Sequence, residues 1–133
     1  MSESDVKIEG MGRRGEGVAR LDDRTVFVPG TLPDETVKAA GDGDRLALVA
    51  IERGSPDRIE PFCGYFGRCG GCQLQHWREE PYRAWKASLI SEQLKARGLP
   101  HEVSGVIDAH GTGRRRVSLH VRKRDGVVTA GFM

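Results

Sequence analysis

The residues with the most chemistry in this 133-residue chain are three cysteines in one short segment. They read Cys63-Gly64-Tyr65-Phe66-Gly67-Arg68-Cys69-Gly70-Gly71-Cys72, a C-x5-C-x2-C spacing. The Cys69/Cys72 pair is a compact chelate for a soft metal. Gly64, Gly67, Gly70 and Gly71 permit tight turns and let backbone N–H groups point at thiolates or cluster sulfides. Such hydrogen bonds tune a cluster's potential. The spacing points to metal and leaves two metals open. A cubane iron–sulfur cluster wants four thiolates, and the chain has three cysteines. Zinc would take Cys63, Cys69, Cys72 and His76 as a Cys3His set, with His76 four residues after Cys72. The competing reading is three small buried apolar side chains with no metal. A thioredoxin-like redox pair is disfavoured, because no βαβ pattern accompanies Cys69 and Cys72.

Basic residues are the second group. Arg114, Arg115, Arg116, Arg122, Lys123 and Arg124 cluster near the end of the chain. Strand alternation puts Arg116, Ser118, His120 and Arg122 on one face, opposite Val117, Leu119 and Val121. Such a face suits phosphate, though a plain solvated hairpin has the same pattern. Gly10-Met11-Gly12-Arg13-Arg14-Gly15 matches G-x-G-x-x-G literally. A dinucleotide site needs a helix next, and the sequel Glu16-Gly17-Val18-Ala19-Arg20-Leu21 is β-like. The segment is therefore an inter-strand loop, with Arg13 and Arg14 at its tip as phosphate contacts. Trp77, Tyr82 and Trp85 have rings that can stack bases. Tyr82 and Trp85 also lie on a helix's apolar stripe, which favours core packing for them, and Phe27 between valines reads as core too. His76 and His120 read as structural or solvated rather than catalytic, and no catalytic residue is assigned.

These groups need elements to position them. Val6-Lys7-Ile8, 17–21, 25–28, 35–40 and 45–52 read as five short strands, separated by turns such as Asp22-Asp23 and Gly41-Asp42-Gly43. Strands this short and evenly spaced suggest a small closed barrel, which leaves no exposed sheet edge. Residues 53–57 read as a linker. A helix is expected over 79–97: Glu79, Glu80 and Pro81 suit its first turn, Tyr82, Trp85, Leu89, Ile90 and Leu94 make the stripe, and Gly98-Leu99-Pro100 stops it. A hairpin over 114–132 turns at Asp125-Gly126. Its return strand is cut short at Met133, which reads as truncation of a larger fold. The fold class is mainly β with one clear helix (α+β). The domains are 1–54, the barrel, and 55–133, a partial second unit.

Size and charge narrow the classes. The chain is too short for an RNA-binding module plus a complete doubly wound enzyme domain. Its net charge of +2 hides an asymmetry: residues 1–54 carry 8 Lys/Arg and 11 Asp/Glu, residues 55–133 carry 13 and 8. The basic half is the better candidate for touching nucleic acid. The acidic start Met1-Ser2-Glu3-Ser4-Asp5 is no signal peptide, and no apolar run is long enough to span a membrane. A cytoplasmic protein with reduced thiols is expected, and the odd cysteine count speaks against a disulfide framework.

Cys63 to His76, read as C-x-x-F-G-x-C-G-G-C-x-x-Q-H, resembles the cluster motif of the bacterial RNA uracil-5-methyltransferases. Gly15-Glu16-Gly17-Val18-Ala19-Arg20, with Val26-Phe27-Val28-Pro29-Gly30 and Leu32-Pro33, resembles that family's TRAM domain, an RNA-binding barrel related to the OB-fold. The helix with Lys86 and the stretch at Arg114-Arg115-Arg116 resemble its central region. The resemblance implies a [4Fe-4S] cluster on four cysteines, three of them Cys63, Cys69 and Cys72, with the fourth beyond Met133. It also implies a separate SAM-binding domain that carries the nucleophilic cysteine and the base, and neither is expected in this chain. The reaction it implies has a thiolate add to C6 of uracil, C5 take the methyl group from SAM, and a base remove the C5 proton as the thiolate is eliminated. A structural cluster, an RNA partner that is ribosomal rather than transfer RNA, no DNA partner, a monomer, and no activity from these residues alone complete the expectation.

Overall fold

The computed structural model of the chain describes residues 2–99, 101–107 and 116–132. Five antiparallel strands form one sheet: β1 (Glu3–Met11), β2 (Glu16–Leu21), β3 (Arg24–Pro29), β4 (Thr36–Ala40) and β5 (Ala47–Arg53), in the order β3-β2-β1-β4-β5. The sheet curls back on itself. Phe27 of β3 bridges Arg45 just before β5; the Phe27 N–H donates to the Asp44 carbonyl at 2.7 Å and the Leu46 N–H to the Phe27 carbonyl at 2.9 Å. The five-stranded barrel expected from the strand spacing is therefore present as a small barrel-like sheet.

Alternation explains its core. Val6 and Ile8 of β1, Val26 and Val28 of β3, and Val37 and Ala39 of β4 are buried, and Ala19 and Leu46 complete the cluster. The same alternation corrects the expectation for Phe27. Its neighbours take the inward positions, so its ring is only half-buried and its backbone closes the sheet instead. Asp22 and Asp23 join β2 to β3 with φ of 48° and 61°, the left-handed pair that a tight two-residue hairpin requires.

The stretch after β5 is tied to the barrel by a buried ion pair. Glu35, just before β4, has no exposed side-chain surface. Arg58 grips it with a fork: Nε to Oε1 at 2.6 Å and an Nη to Oε2 at 2.8 Å. That same Nη donates to the Gly30 carbonyl at 2.8 Å. The Leu32 N–H (2.9 Å) and the Ser55 N–H (3.1 Å) also donate to the carboxylate. Burial would raise the Glu35 pKa, but these hydrogen bonds and the charge of Arg58 outweigh it and hold the carboxyl below its ordinary value.

Helix α1 (Glu79–Ala96) starts and stops close to the expected bounds, with Gly98 at φ 73° just after it. Its burial differs from expectation: no α1 residue is buried, and Ile90 is 55% exposed. Tyr82, Trp85 and Leu89 are half-buried. Tyr82 and Trp85 pack toward Trp77, whose ring lies 6.3 Å from Tyr82 and 5.8 Å from Trp85; Leu94 is half-buried as well, and Ile90 meets solvent.

The hairpin comprises β6 (His120–Arg124) and β7 (Val127–Gly131), turning at Asp125-Gly126 with φ of 50° and 81°. Val117, Leu119 and Val121 alternate with Ser118, His120 and Arg122 in the sequence. They are 53%, 52% and 66% exposed, because no described element covers that side of the hairpin. Arg114 and Arg115 lie outside the described residues.

Candidate nucleic-acid interface and cysteine loop

The cysteine loop is an excursion whose two ends are clipped together. Arg58 and Trp77 form an antiparallel bridge, the Ile59 N–H donates to the His76 carbonyl (2.9 Å), and the Arg78 N–H donates to the Asp57 carbonyl (2.9 Å). Arg78 also pairs with the Asp57 carboxylate at 2.7 Å. Between these ends the chain runs through turns. The Phe66 N–H donates to the Cys63 carbonyl (3.0 Å), the Cys69 N–H to the Tyr65 carbonyl (2.9 Å) and the Cys63 N–H to Gln75 Oε1 (3.3 Å). All three thiols are free; Cys63 and Cys69 are half-buried and Cys72 is exposed. The Gly71 N–H donates to Cys69 Sγ at 3.4 Å, the kind of N–H···S contact that the glycines suggested.

Among the described residues, no three His, Cys, Asp or Glu side chains come together as a metal-holding group. The three sulfurs share one loop but are not gathered, and they are one short of a cubane's four. These residues alone therefore do not fit a [4Fe-4S] cluster. His76 does not join them for zinc either. It is 2% exposed, with its ring 5.3 Å from Phe66. Burial, with the positive Arg58 nearby, pushes its pKa down to about 4, against the pull of Glu35. Neither ring nitrogen has a hydrogen-bond partner among the described residues.

A contact at the far end of the hairpin has no counterpart in the sequence pattern. A Cβ on Gly71 would stand 3.1 Å from the Phe132 ring and 3.4 Å from Cys69 Sγ. The end of β7 thus lies against the cysteine loop.

The basic residues divide into two places. Arg122, Lys123 and Arg124 are exposed on β6, and Arg116 is exposed before it. His120 and Arg122 share a shallow face with Thr129 and Phe132. Arg13 and Arg14 are far away in sequence, exposed on the turn between β1 and β2, as the failed dinucleotide match implied. That turn docks on the cysteine loop: at Gly15, with φ 79°, a Cβ would stand 3.1 Å from Leu74 Cδ1. Arg13 and Arg14 consequently overlook a cleft of about 530 Å³ whose other walls are Leu74, Tyr82, Trp85 and Lys86. Lys86 Nζ sits 5.6 Å from the Tyr82 ring centre. Sequence reading found the two arginines and the two aromatics separately. It missed Gln73 and Leu74, which join them, because no local pattern marks which loop a turn docks against.

Residues 2–40 match the TRAM domain, so the barrel's first four strands define the class of this region. The particular relatives are RNA methyltransferases. The chain is 48% identical over 120 residues to an "uncharacterized RNA methyltransferase" of Caulobacter vibrioides, covering 90% of this chain and 29% of that protein. It is 43% identical over 127 residues to one of Brucella suis, covering 96% and 31%. It is 33% identical over 130 residues to the 23S rRNA (uracil(1939)-C(5))-methyltransferase RlmD of Marinomonas posidonica, covering 94% and 30%. The chain thus spans about a third of the length of the curated relatives it matches. The resemblance first carried by the cysteine motif is shown at the level of homologues. Among the described residues, no helix is long and apolar enough to cross a membrane.

Proposed function

We propose that this chain is the RNA-holding, N-terminal part of a SAM-dependent methyltransferase that forms 5-methyluridine in 23S rRNA. The observation that carries this reading is similarity running through both proposed domains, 1–54 and 55–133, to a 23S rRNA uracil-C5 methyltransferase. In this reading residues 1–54 are the RNA-binding barrel, and 55–133 position the RNA for a SAM-binding domain that does the chemistry. A uracil in folded RNA must be unstacked to be methylated, so binding has to grip its flanking nucleotides. Arg13, Arg14, Arg116, Arg122, Lys123 and Arg124 are the contacts offered by the described residues, and Arg114 and Arg115 extend the set. The setting is the cytoplasm.

The cysteine loop is read as a partial [4Fe-4S] ligand set with a structural role. Cys63, Cys69 and Cys72 are free thiols, and a fourth thiolate carried by residues following β7 would arrive beside them, since Phe132 already touches Gly71. Methyl transfer needs no electron, so a cluster here would staple a small loop-rich region.

Two experiments test this. The 133-residue chain, given SAM with a labelled methyl group and 23S rRNA, should transfer no label, while a version extended through the SAM-binding domain should label it at a uridine. Label on another base, or none from the extended version, would sink the reading. Protein purified without oxygen and extended past β7 should hold about four irons and four sulfides. Colourless protein with one zinc would replace the cluster by the Cys3His alternative.

A further inference from the structure

We propose that the cleft between the β1–β2 turn and helix α1 holds one unstacked nucleotide of single-stranded RNA. Its base would lie on Tyr82 and Trp85, and its backbone phosphate on Arg13, Arg14 and Lys86. The inference rests on the RNA-binding reading and adds the place and the form of the RNA. Three observations carry it.

The first is composition. The lining residues include three cations, two aromatics and no carboxylate. Among the described residues, Arg13, Arg14 and Lys86 form no ion pair, and Lys86 Nζ lies over the Tyr82 ring. Three uncompensated cations around one concavity attract a polyanion.

The second is the aromatic wall. Tyr82 and Trp85 stand 6.2 Å apart with their planes 36° from parallel, and Trp77 backs them from a buried position. Rings held in place from behind but only half-buried give a base a preformed surface. A duplex keeps its bases stacked on one another, so a stacking wall selects an unpaired nucleotide. The Gln73 side-chain amide, on the same cleft, offers both a donor and an acceptor to a base edge.

The third is construction. The cleft is assembled from the barrel, the cysteine loop and the helix, and the Gly15–Leu74 contact fixes the barrel against the loop. Its volume of about 530 Å³ falls in the range of small-ligand sites and has room for one nucleotide.

The test uses the whole chain and a fluorescein-labelled octauridylate, with binding followed by anisotropy over a salt series. Arg13→Ala/Arg14→Ala should flatten the log–log salt slope by about 0.7 for each phosphate that the two arginines neutralise. Tyr82→Ala should weaken binding about 5- to 150-fold while leaving the slope unchanged, because stacking releases no counterions. Arg13 and Arg14 are exposed, so their replacement leaves folding intact, and circular dichroism checks Tyr82→Ala. Tyr82→Phe, which keeps the ring, should bind like the parent and excludes a folding artefact. If the octamer binds but these variants leave affinity and slope unchanged, the cleft is overturned and the RNA-binding reading stands. If no RNA binds at all, both fall. If uridine monophosphate competes as well as the octamer, the cleft is a free-nucleotide site and the proposal is wrong. Equal binding to a duplex would likewise refute the unstacked base.

Discussion

Arg58→Met should destabilise the chain more than the removal of any exposed arginine. The substitution keeps the apolar stem and deletes the fork. It leaves Glu35 with 0% side-chain exposure and without the guanidinium that faces it, whereas Arg58 itself was 26% exposed. Removing one member of a buried pair costs about 3–5 kcal/mol, because the other charge stays behind without compensation. Two N–H donors remain on Glu35, from Leu32 and Ser55, and they still solvate the carboxylate. The cost therefore falls at the low end, about 3 kcal/mol. With a urea slope of about 1–3 kcal/mol per molar, the unfolding midpoint followed by tryptophan fluorescence should drop by about 1–3 M. Arg58→Lys should recover only part of this, since an ammonium cannot span both carboxylate oxygens and the Gly30 carbonyl. The sign with pH is fixed as well. Glu35 titrates below its ordinary 4.5, so its stabilising contribution is full above that value and is lost as pH falls through the folded pKa. In Arg58→Met the carboxyl should titrate higher, so the gap between variant and parent should narrow in acid. A midpoint for Arg58→Met within about 0.3 M of the parent at pH 7 would refute the reasoning.

Further expectations follow from single contacts. His76, with its pKa lowered to about 4, stays neutral when folded while an unfolded histidine protonates near 6.5. The His76 contribution to stability should therefore fall by about 3 kcal/mol between pH 6.5 and 4 and level off below; His76→Phe should lack that part of the fall, and an unchanged pH profile in the variant would count against the buried neutral ring. Gly15→Ala forces a left-handed alanine against Leu74, and should lower the melting temperature by about 3–10 °C, whereas an unchanged melt would contradict the docked turn. Arg122→Ala/Lys123→Ala/Arg124→Ala removes three exposed cations and should reduce the RNA salt slope by about 0.7 for each phosphate they neutralise; an unaltered slope would take the hairpin out of the interface.

The barrel was legible because three of its strands, β1, β3 and β4, carry their own evidence. Val6 and Ile8, Val26 and Val28, and Val37 and Ala39 alternate, and period-2 burial needs no knowledge of the rest of the chain. Helix α1 was legible at its ends for the same reason: Pro81 and Gly98 act locally. Its burial was not. An apolar stripe states what a helix can cover, and only packing decides how much of it is covered, which here leaves every stripe residue half-buried at most and Ile90 exposed. Glu35 and Arg58 left no trace in the sequence, since a buried ion pair between residues 23 apart has no spacing rule. The cysteine spacing suggested a chelate. A chelate's geometry, though, depends on every ligand, and three sulfurs on one loop do not gather themselves.

The placement of the cysteine loop argues for a supporting role rather than a reactive one. Its ends are pinned by the Arg58–Trp77 bridge, and Arg58 is in turn pinned to Glu35 on the barrel. Its middle bears the thiols. Its exit, Gln73 and Leu74, follows Cys72 directly and forms part of the cleft that Arg13, Arg14 and Tyr82 share. Whatever orders Cys72 therefore also orders one wall of that cleft, with one peptide bond between them. A redox reaction would need a path for electrons to a substrate, and the proposed methyl transfer moves none. Ordering a wall needs only that the loop be held still, and a loop this rich in glycine has the most conformational entropy to lose. A metal that fixed it, as proposed, would stabilise the proposed RNA-facing surface without touching RNA, and would give three thiols so close to an aromatic, basic cleft a supporting role.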